Sequence, residues 1–378
     1  MQTFDVSRDD EMYEAFPDVA VTESGRLVCV FAECTHHADR SYTNNVVVTS
    51  DDRGRSWSAK RPLTDPHYLS GDGAFWDCPR VSRLGDGRLV AVVNEISGTM
   101  GSRDAARNRL YFSADEGETW DGPRETPVDG IVPDQLIELE RGANAGRWVL
   151  AAHRTIQRDG EEVFEVRAWT SDDGGESWDG PVTVARERDL DLCEASVVEM
   201  PGGELVCFMR ENSGRGLDAF KAISEDGGET WDGPYEMPLP GCHRPVAGTL
   251  DGDRVLVTHR FMQGGKGWLG TWTQNAFAAL TDVESCLATD RDGSWTRILP
   301  LEFDRSPAAD TGYTGWARFD DGEVYVVNYV VDDAPAVSVR EPPGYDGDHD
   351  AVPKAFVRGY SLDLDDFVTD PDRLGPGR

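Results

Sequence analysis

At 378 residues the chain has room for two or three average domains, yet all-β and repeat folds commonly spend that length on one. Its 70 acidic against 37 basic residues give a formal net charge of -33, a surface that repels nucleic acid and anionic membranes. The seven cysteines (Cys29, Cys34, Cys78, Cys193, Cys207, Cys242 and Cys286) are odd in number and lack a CxxC pair, so they read as reduced thiols, with no metal site and no cofactor expected.

The acidic residues are spread through every segment, and only four lysines occur, Lys60, Lys221, Lys266 and Lys354. That balance is expected of a halophilic protein in a salt-rich cytoplasm, where screening removes carboxylate repulsion. The thermal midpoint should then rise with KCl concentration, and a flat curve would remove this explanation of the charge. Met1-Gln2-Thr3-Phe4-Asp5 has neither a basic region nor an apolar run, so a cytoplasmic location without a secretory signal is expected. No apolar run is long enough to span a bilayer, and the oligomeric state is open.

Taken in chain order, Thr3 to Ser7 reads as a strand. Next comes a unit of two apolar strands about a glycine turn, Phe16-Pro17-Asp18 through Gly25-Arg26-Leu27-Val28 to Glu33. It recurs as Cys78-Pro79-Arg80 to Glu95, Val132-Pro133-Asp134 to Arg154, Cys193-Glu194-Ala195 to Glu211, Cys242-His243-Arg244 to Arg260 and Gly312-Tyr313-Thr314 to Tyr329. The six starts, at 17, 79, 133, 194, 243 and 313, leave room for four strands each. Radial repetition of four-stranded sheets is a β-propeller.

Between these copies lies a second repeat, Ser50-Asp51-Asp52-Arg53-Gly54-Arg55-Ser56-Trp57. Matching turns begin at Ser113, Ser171 and Ser224, each ending on a tryptophan (Trp120, Trp178 and Trp231), and a degenerate copy runs from Thr289 to Trp295. The carboxylate accepts backbone N–H bonds, glycine takes the positive φ and tryptophan anchors the turn. This Ser-x-Asp-x-Gly-x-Ser/Thr-Trp pattern resembles the Asp-box of the sialidase superfamily. The resemblance implies an all-β, six-bladed β-propeller in one domain over 1–365. Thr3 to Ser7 would complete the last blade beside a strand near Ala355 to Leu362, and 366–378 would form a polar tail.

The openings of the inner strands and the ends of the second strands carry polar residues that converge on one funnel. There the resemblance becomes residue-specific: Tyr313 matches the nucleophile, Glu194 its base, Arg210 a carboxylate grip, and Asp39 falls near the acid/base position. Two other arginine positions of that family hold Ala15 and Gln274. Arg80, Arg244 and Arg260 read as further funnel cations, with His153, His243 and Asp134 as binding residues, whereas His36 and His37 are expected to be exposed.

The function implied is a retaining exo-glycoside hydrolase for a terminal acidic carbohydrate other than ordinary sialic acid. A polysaccharide lyase acting on uronate glycans through His153, His243 and His259 beside their arginines is an alternative. A non-catalytic glycan-binding propeller is another.

Overall fold

The computed structural model describes residues 1–37, 39–68, 74–97, 105–158, 160–262, 274–306, 309–333 and 354–367. Six antiparallel sheets stand around one axis as a six-bladed β-propeller, and among the described residues the single α-helix is the five-residue Val283–Leu287. Most of the expected tail, 368–378, lies outside the described residues.

Blade one shows how sequence makes a blade. Its inner strand Tyr13–Val21 and second strand Leu27–His36 are almost wholly buried on both faces, which is why they read as continuous apolar runs rather than alternating ones. The third strand, Asp39–Ser50, is buried from Thr43 onward, and the Ser50 to Trp57 turn leads to the short outer strand Arg61–Pro62.

Neighbouring blades pack face to face through separate apolar cores. Leu27, Phe31 and Val48 of blade one meet Tyr325, Val327 and Val357 of blade six. Leu84, Val92 and Leu110 of blade two meet Trp148, Leu150 and Trp169 of blade three.

The ring closes as the sequence implied. Gln2–Ser7 pairs antiparallel with Phe356–Leu362, from Gln2 opposite Ser361 to Asp5 opposite Arg358, with a bulge before Ser7 meets Val357. No blade is then left with an unpaired partner strand at the seam.

Four Asp-boxes share one hydrogen-bond plan. In the first, Ser50 Oγ donates to Asp52 Oδ1 (2.9 Å) and accepts from Gly54 N (2.8 Å), while Ser56 N donates to Asp52 Oδ1 (2.8 Å). Asp115, Asp173 and Asp226 repeat it. Arginines tie two pairs of neighbouring turns around the rim: Arg26 bonds Asp51 and Glu118, and Arg147 bonds Asp172 and Glu229. In blade five the helix Val283–Leu287 displaces the pattern, and Trp295 Nε1 donates to the capping residue Asp282 instead (3.0 Å).

One backbone feature recurs at the mouth of every inner strand. Phe16, Cys78, Val132, Glu194 and Arg244 have φ between 30° and 57°, and Gly312 holds the sixth place at 101°. Ladder register shifts coincide with these residues between Ala15 and Asp18, Asp77 and Arg80, Cys193 and Ser196, and His243 and Val246. A bulge with one left-handed residue re-aims its side chain out of the sheet. Four of the six, Phe16, Cys78, Val132 and Glu194, line the same axial cavity.

Candidate active site

That cavity has a volume of about 1110 Å³ and opens on the axis. Its floor holds Phe16, Cys78, Glu194 and Tyr313, and one wall is carried by blades two and three through Asp129, His153 and Phe164.

Glu194 and Tyr313 come from opposite parts of the chain and meet here. The Tyr313 hydroxyl donates to Glu194 Oε1, which also accepts from Arg210 Nη1 at 2.8 Å; Arg210 Nη1 lies 3.3 Å from the Tyr313 hydroxyl. All three side chains are buried. The bulge at Glu194 turns its carboxylate inward, and the second strand Leu205–Glu211 delivers Arg210 from the same blade. Gly312 N is pinned by Asn328 Oδ1 at 2.8 Å, which sets the start of Tyr313. Added atoms at Gly312 would collide with Arg260.

Burial alone pushes the Glu194 carboxyl up, but the Arg210 guanidinium, the Tyr313 hydroxyl and His153 outweigh it and hold the group at about 2. Burial, and then the Glu194 charge, push the Tyr313 phenol well above its ordinary 10, with Arg210 and Arg260 opposing. The resting state is therefore an ionised glutamate accepting a proton bond from a neutral phenol. The phenol becomes a nucleophile only as that proton moves to Glu194.

The other predicted residues are distributed differently. Arg210, His153, Glu194 and Tyr313 line the cavity, whereas Arg80, Arg244, Arg260, His243, Asp134 and Asp39 do not. Arg80 sits beneath it, 3.3 Å from Asp18 and donating to Thr314 O, and Arg244 spans the axis to Ala195 O (3.1 Å) and Pro133 O (2.6 Å). Asp134 Oδ2 accepts Val197 N at 2.5 Å and ties blade three to blade four, its carboxyl raised by burial to about 6. Arg260 lies under Tyr313, its guanidinium carbon 4.5 Å from the centre of that ring.

His243 is fully buried, and burial with nearby Arg210 and Arg260 pushes it well below its ordinary value. Among the described residues His259 bonds no cavity group, and its Nδ1 meets Arg260 O at 2.8 Å. Of the three histidines of the lyase alternative, His153 alone lines the cavity, and its Nδ1 accepts Glu194 N at 3.2 Å. Gln274 clamps the segment before Tyr313 through Ala309 O and Thr311 N, and Ala15 is buried.

Asp39 is half-buried and turned to its own loop, accepting Ser41 N at 2.9 Å. His36 and His37, expected at the surface, are buried at 3% and 8% exposure because Tyr13 packs edge-on against His36 and Asp310 binds His37. The sequence reading also missed Arg40 and Asp77, cavity residues that meet at 3.2 Å. The Asp-Cys-Pro preceding the second repeat start was the signal available for Asp77. The arginines on the cavity wall, Arg40, Arg107, Arg154 and Arg210, stand among Asp77, Glu125, Asp129, Glu162 and Glu194, so cations and carboxylates share the wall, and the further funnel cations expected from the sequence, Arg80, Arg244 and Arg260, are not among them.

A family model described as BNR repeat-like domain matches residues 77–326, about two thirds of the chain. The chain belongs to that family. A curated relative of this BNR-repeat chain, the anhydrosialidase of Macrobdella decora, is 24% identical over an alignment 246 residues long that covers 57% of this chain and 28% of that protein. The chain thus spans little more than a quarter of the length of that relative.

Solved structures share the propeller. A protein of unknown function from Dyadobacter fermentans superposes with a TM-score of 0.69 at 22% identity, covering 96% of this chain and 97% of that one. The intramolecular trans-sialidase of Ruminococcus gnavus, in complex with oseltamivir carboxylate, gives 0.67 at 14% identity over 97% and 98%. The endosialidase of phage phi92 gives 0.70 at 12% identity over 100% of this chain and 70% of that one. At these identities the likeness is one of fold.

Proposed function

We propose that this chain is a retaining exo-glycoside hydrolase acting on a terminal acidic sugar, with Tyr313 as nucleophile and Glu194 as its base. The observation that carries the proposal is the buried contact of Tyr313, Glu194 and Arg210 at the floor of the axial cavity. Tyrosine nucleophiles are the exception among glycosidases and belong to sialidases, and the named relatives in this fold include sialidases. Arg210 supports Glu194 and presents its other nitrogen to Asn212 at 2.5 Å, while Arg40 adds a second guanidinium to the cavity.

In this scheme Tyr313 Oη attacks the anomeric carbon as its proton passes to Glu194. An anionic substituent of the sugar meets Arg210, and the glycosyl-tyrosine is later opened by water. Ala15 and Gln274, buried and outside the cavity, stand where the resemblance implies two arginines, so the cavity's cations are placed differently from those of a family sialidase, which favours an acidic sugar other than ordinary sialic acid.

Incubation with acidic and neutral oligosaccharides, followed by product mass and ultraviolet absorbance, tests this. Water added across the bond, on acidic sugars, is the expected result. A conjugated unsaturated end would mean a lyase, an anhydro sugar without that absorbance an internal transfer, and binding without product a lectin-like propeller. Preference for neutral glycans would refute the acidic-sugar assignment.

A further inference from the structure

His37 reaches the cavity from the same loop as Asp39. Its Nδ1 is hydrogen-bonded to Asp310 Oδ2, an oxygen that also accepts from the Tyr13 hydroxyl. The other oxygen of Asp310 accepts from the Tyr329 hydroxyl at 2.7 Å and from Arg260 Nη2 at 3.2 Å. Burial alone would raise the Asp310 carboxyl, but His37, Arg260 and Tyr13 hold it at about 2. An ionised carboxylate on Nδ1 keeps the proton on that nitrogen and makes Nε2 the nitrogen that exchanges protons.

Phe16 joins this pair to the nucleophile. Its ring centre is 5.0 Å from the His37 ring and 5.4 Å from that of Tyr313, so the two flank one aromatic floor. Arg40, 5.4 Å from the same ring, engages Asp77, while Arg154 engages Asp129 and Arg210 engages Glu194. A carboxylate held by a guanidinium offers a lone pair rather than a proton.

We infer that His37, positioned by Asp310, is the acid and base that faces Tyr313 across Phe16, an assignment resting on the glycosidase function proposed above. In the first half-reaction Tyr313 Oη bonds to the anomeric carbon and its proton moves to Glu194. The bond from that carbon to the departing oxygen breaks with its electron pair, and the oxygen takes the Nε2 proton of the His37 imidazolium. In the second, water bonds to the anomeric carbon and returns a proton to Nε2. The Tyr313–carbon bond breaks, and Tyr313 recovers its proton from Glu194.

The acid step needs the imidazolium. Burial lowers His37 from its ordinary 6.5; Asp310 opposes this, and Arg40 and Arg260 add to it. Among the described residues, Asp310, Tyr13, Arg40 and Arg260 are charged and titratable groups that face His37, with Tyr329 reaching Asp310. Hence kcat/KM falls as pH rises through a value below 6.5, and Asp310→Asn moves that limb lower still.

The test uses 4-nitrophenyl and methyl glycosides of glucuronic acid and of a nonulosonic acid. His37→Ala should lose about 10²–10⁴-fold in kcat/KM on the methyl glycosides. The loss should be much smaller on the nitrophenyl ones, whose leaving group needs no proton, and added imidazole should restore part of it. Equal losses across the series would overturn the assignment, as would the same leaving-group signature in Asp77→Asn. Should Asp310→Asn fail to fold, His37→Ala and His37→Gln decide alone. Wild-type inactivity on the whole series would overturn the glycosidase function and this assignment with it, whereas active wild type with a flat His37 series would overturn the assignment only.

Discussion

Tyr313→Phe should abolish turnover, by at least about a thousandfold in kcat, while leaving the propeller folded. The variant removes one oxygen, the atom that would bond the anomeric carbon. What remains keeps its packing: the ring still lies 5.4 Å from that of Phe16 and under the Arg260 guanidinium. Glu194 loses the Tyr313 hydroxyl but keeps Arg210 at 2.8 Å, so the stability change should stay near about 1 kcal/mol, the usual net value of one hydrogen bond. Burst kinetics and circular dichroism on the same sample read the two quantities. A variant with a tenth or more of wild-type activity would remove Tyr313 as nucleophile.

The second large effect is on stability. Arg210→Met should destabilise the fold by about 3–5 kcal/mol at neutral pH, because it leaves the Glu194 carboxylate buried without its cation. The pH dependence identifies the cause. In the wild type the Glu194 carboxyl is held at about 2, below its ordinary 4.5, so its contribution is fully present above 4.5 and is lost as pH falls through 2. Without Arg210 burial dominates and the carboxyl rises, so the penalty grows as pH climbs through 4.5 and fades in acid. Urea unfolding at pH 4 and pH 7.5 should show the larger deficit at 7.5. An equal deficit at both would mean that lost packing, and not an unpaired charge, is responsible.

The ring was legible because its signals are local. Each Asp-box carries its own turn chemistry, and the inner strands announce themselves as apolar runs opened by Phe16-Pro17, Cys78-Pro79 and Val132-Pro133. Glu194 and Tyr313 were singled out by the family resemblance rather than by phase alone, since Glu194 holds the left-handed place of its blade and Tyr313 follows Gly312 in that place.

Arg80, Arg244 and Asp134 were assigned to the funnel from that phase, yet they lie beneath it. The bulge adds one residue to the inner strand, so the two-residue alternation that decides which face a side chain takes is reset there. Arg80 and Asp134, two residues past the left-handed Cys78 and Val132, turn beneath the cavity, where Arg80 meets Asp18, and the left-handed Arg244 itself lies along the axis against carbonyls. His37 was hidden for another reason. Its partner Asp310 is 273 residues away, and no local pattern relates a loop of blade one to the segment entering blade six.

The left-handed residue at each strand mouth bears on how such a ring acquires new chemistry. A side chain aimed by the backbone need not fit the apolar seams between blades, and the occupants here, Phe16, Cys78, Val132, Glu194 and Arg244, differ in size, charge and polarity. Each non-glycine residue there costs about 1–2 kcal/mol of backbone strain, a cost the rest of each blade already bears. Exchange at one of these places therefore changes what the axis presents while the seams stay as they were. Evolution can retool the centre one residue at a time, with the blades inherited intact.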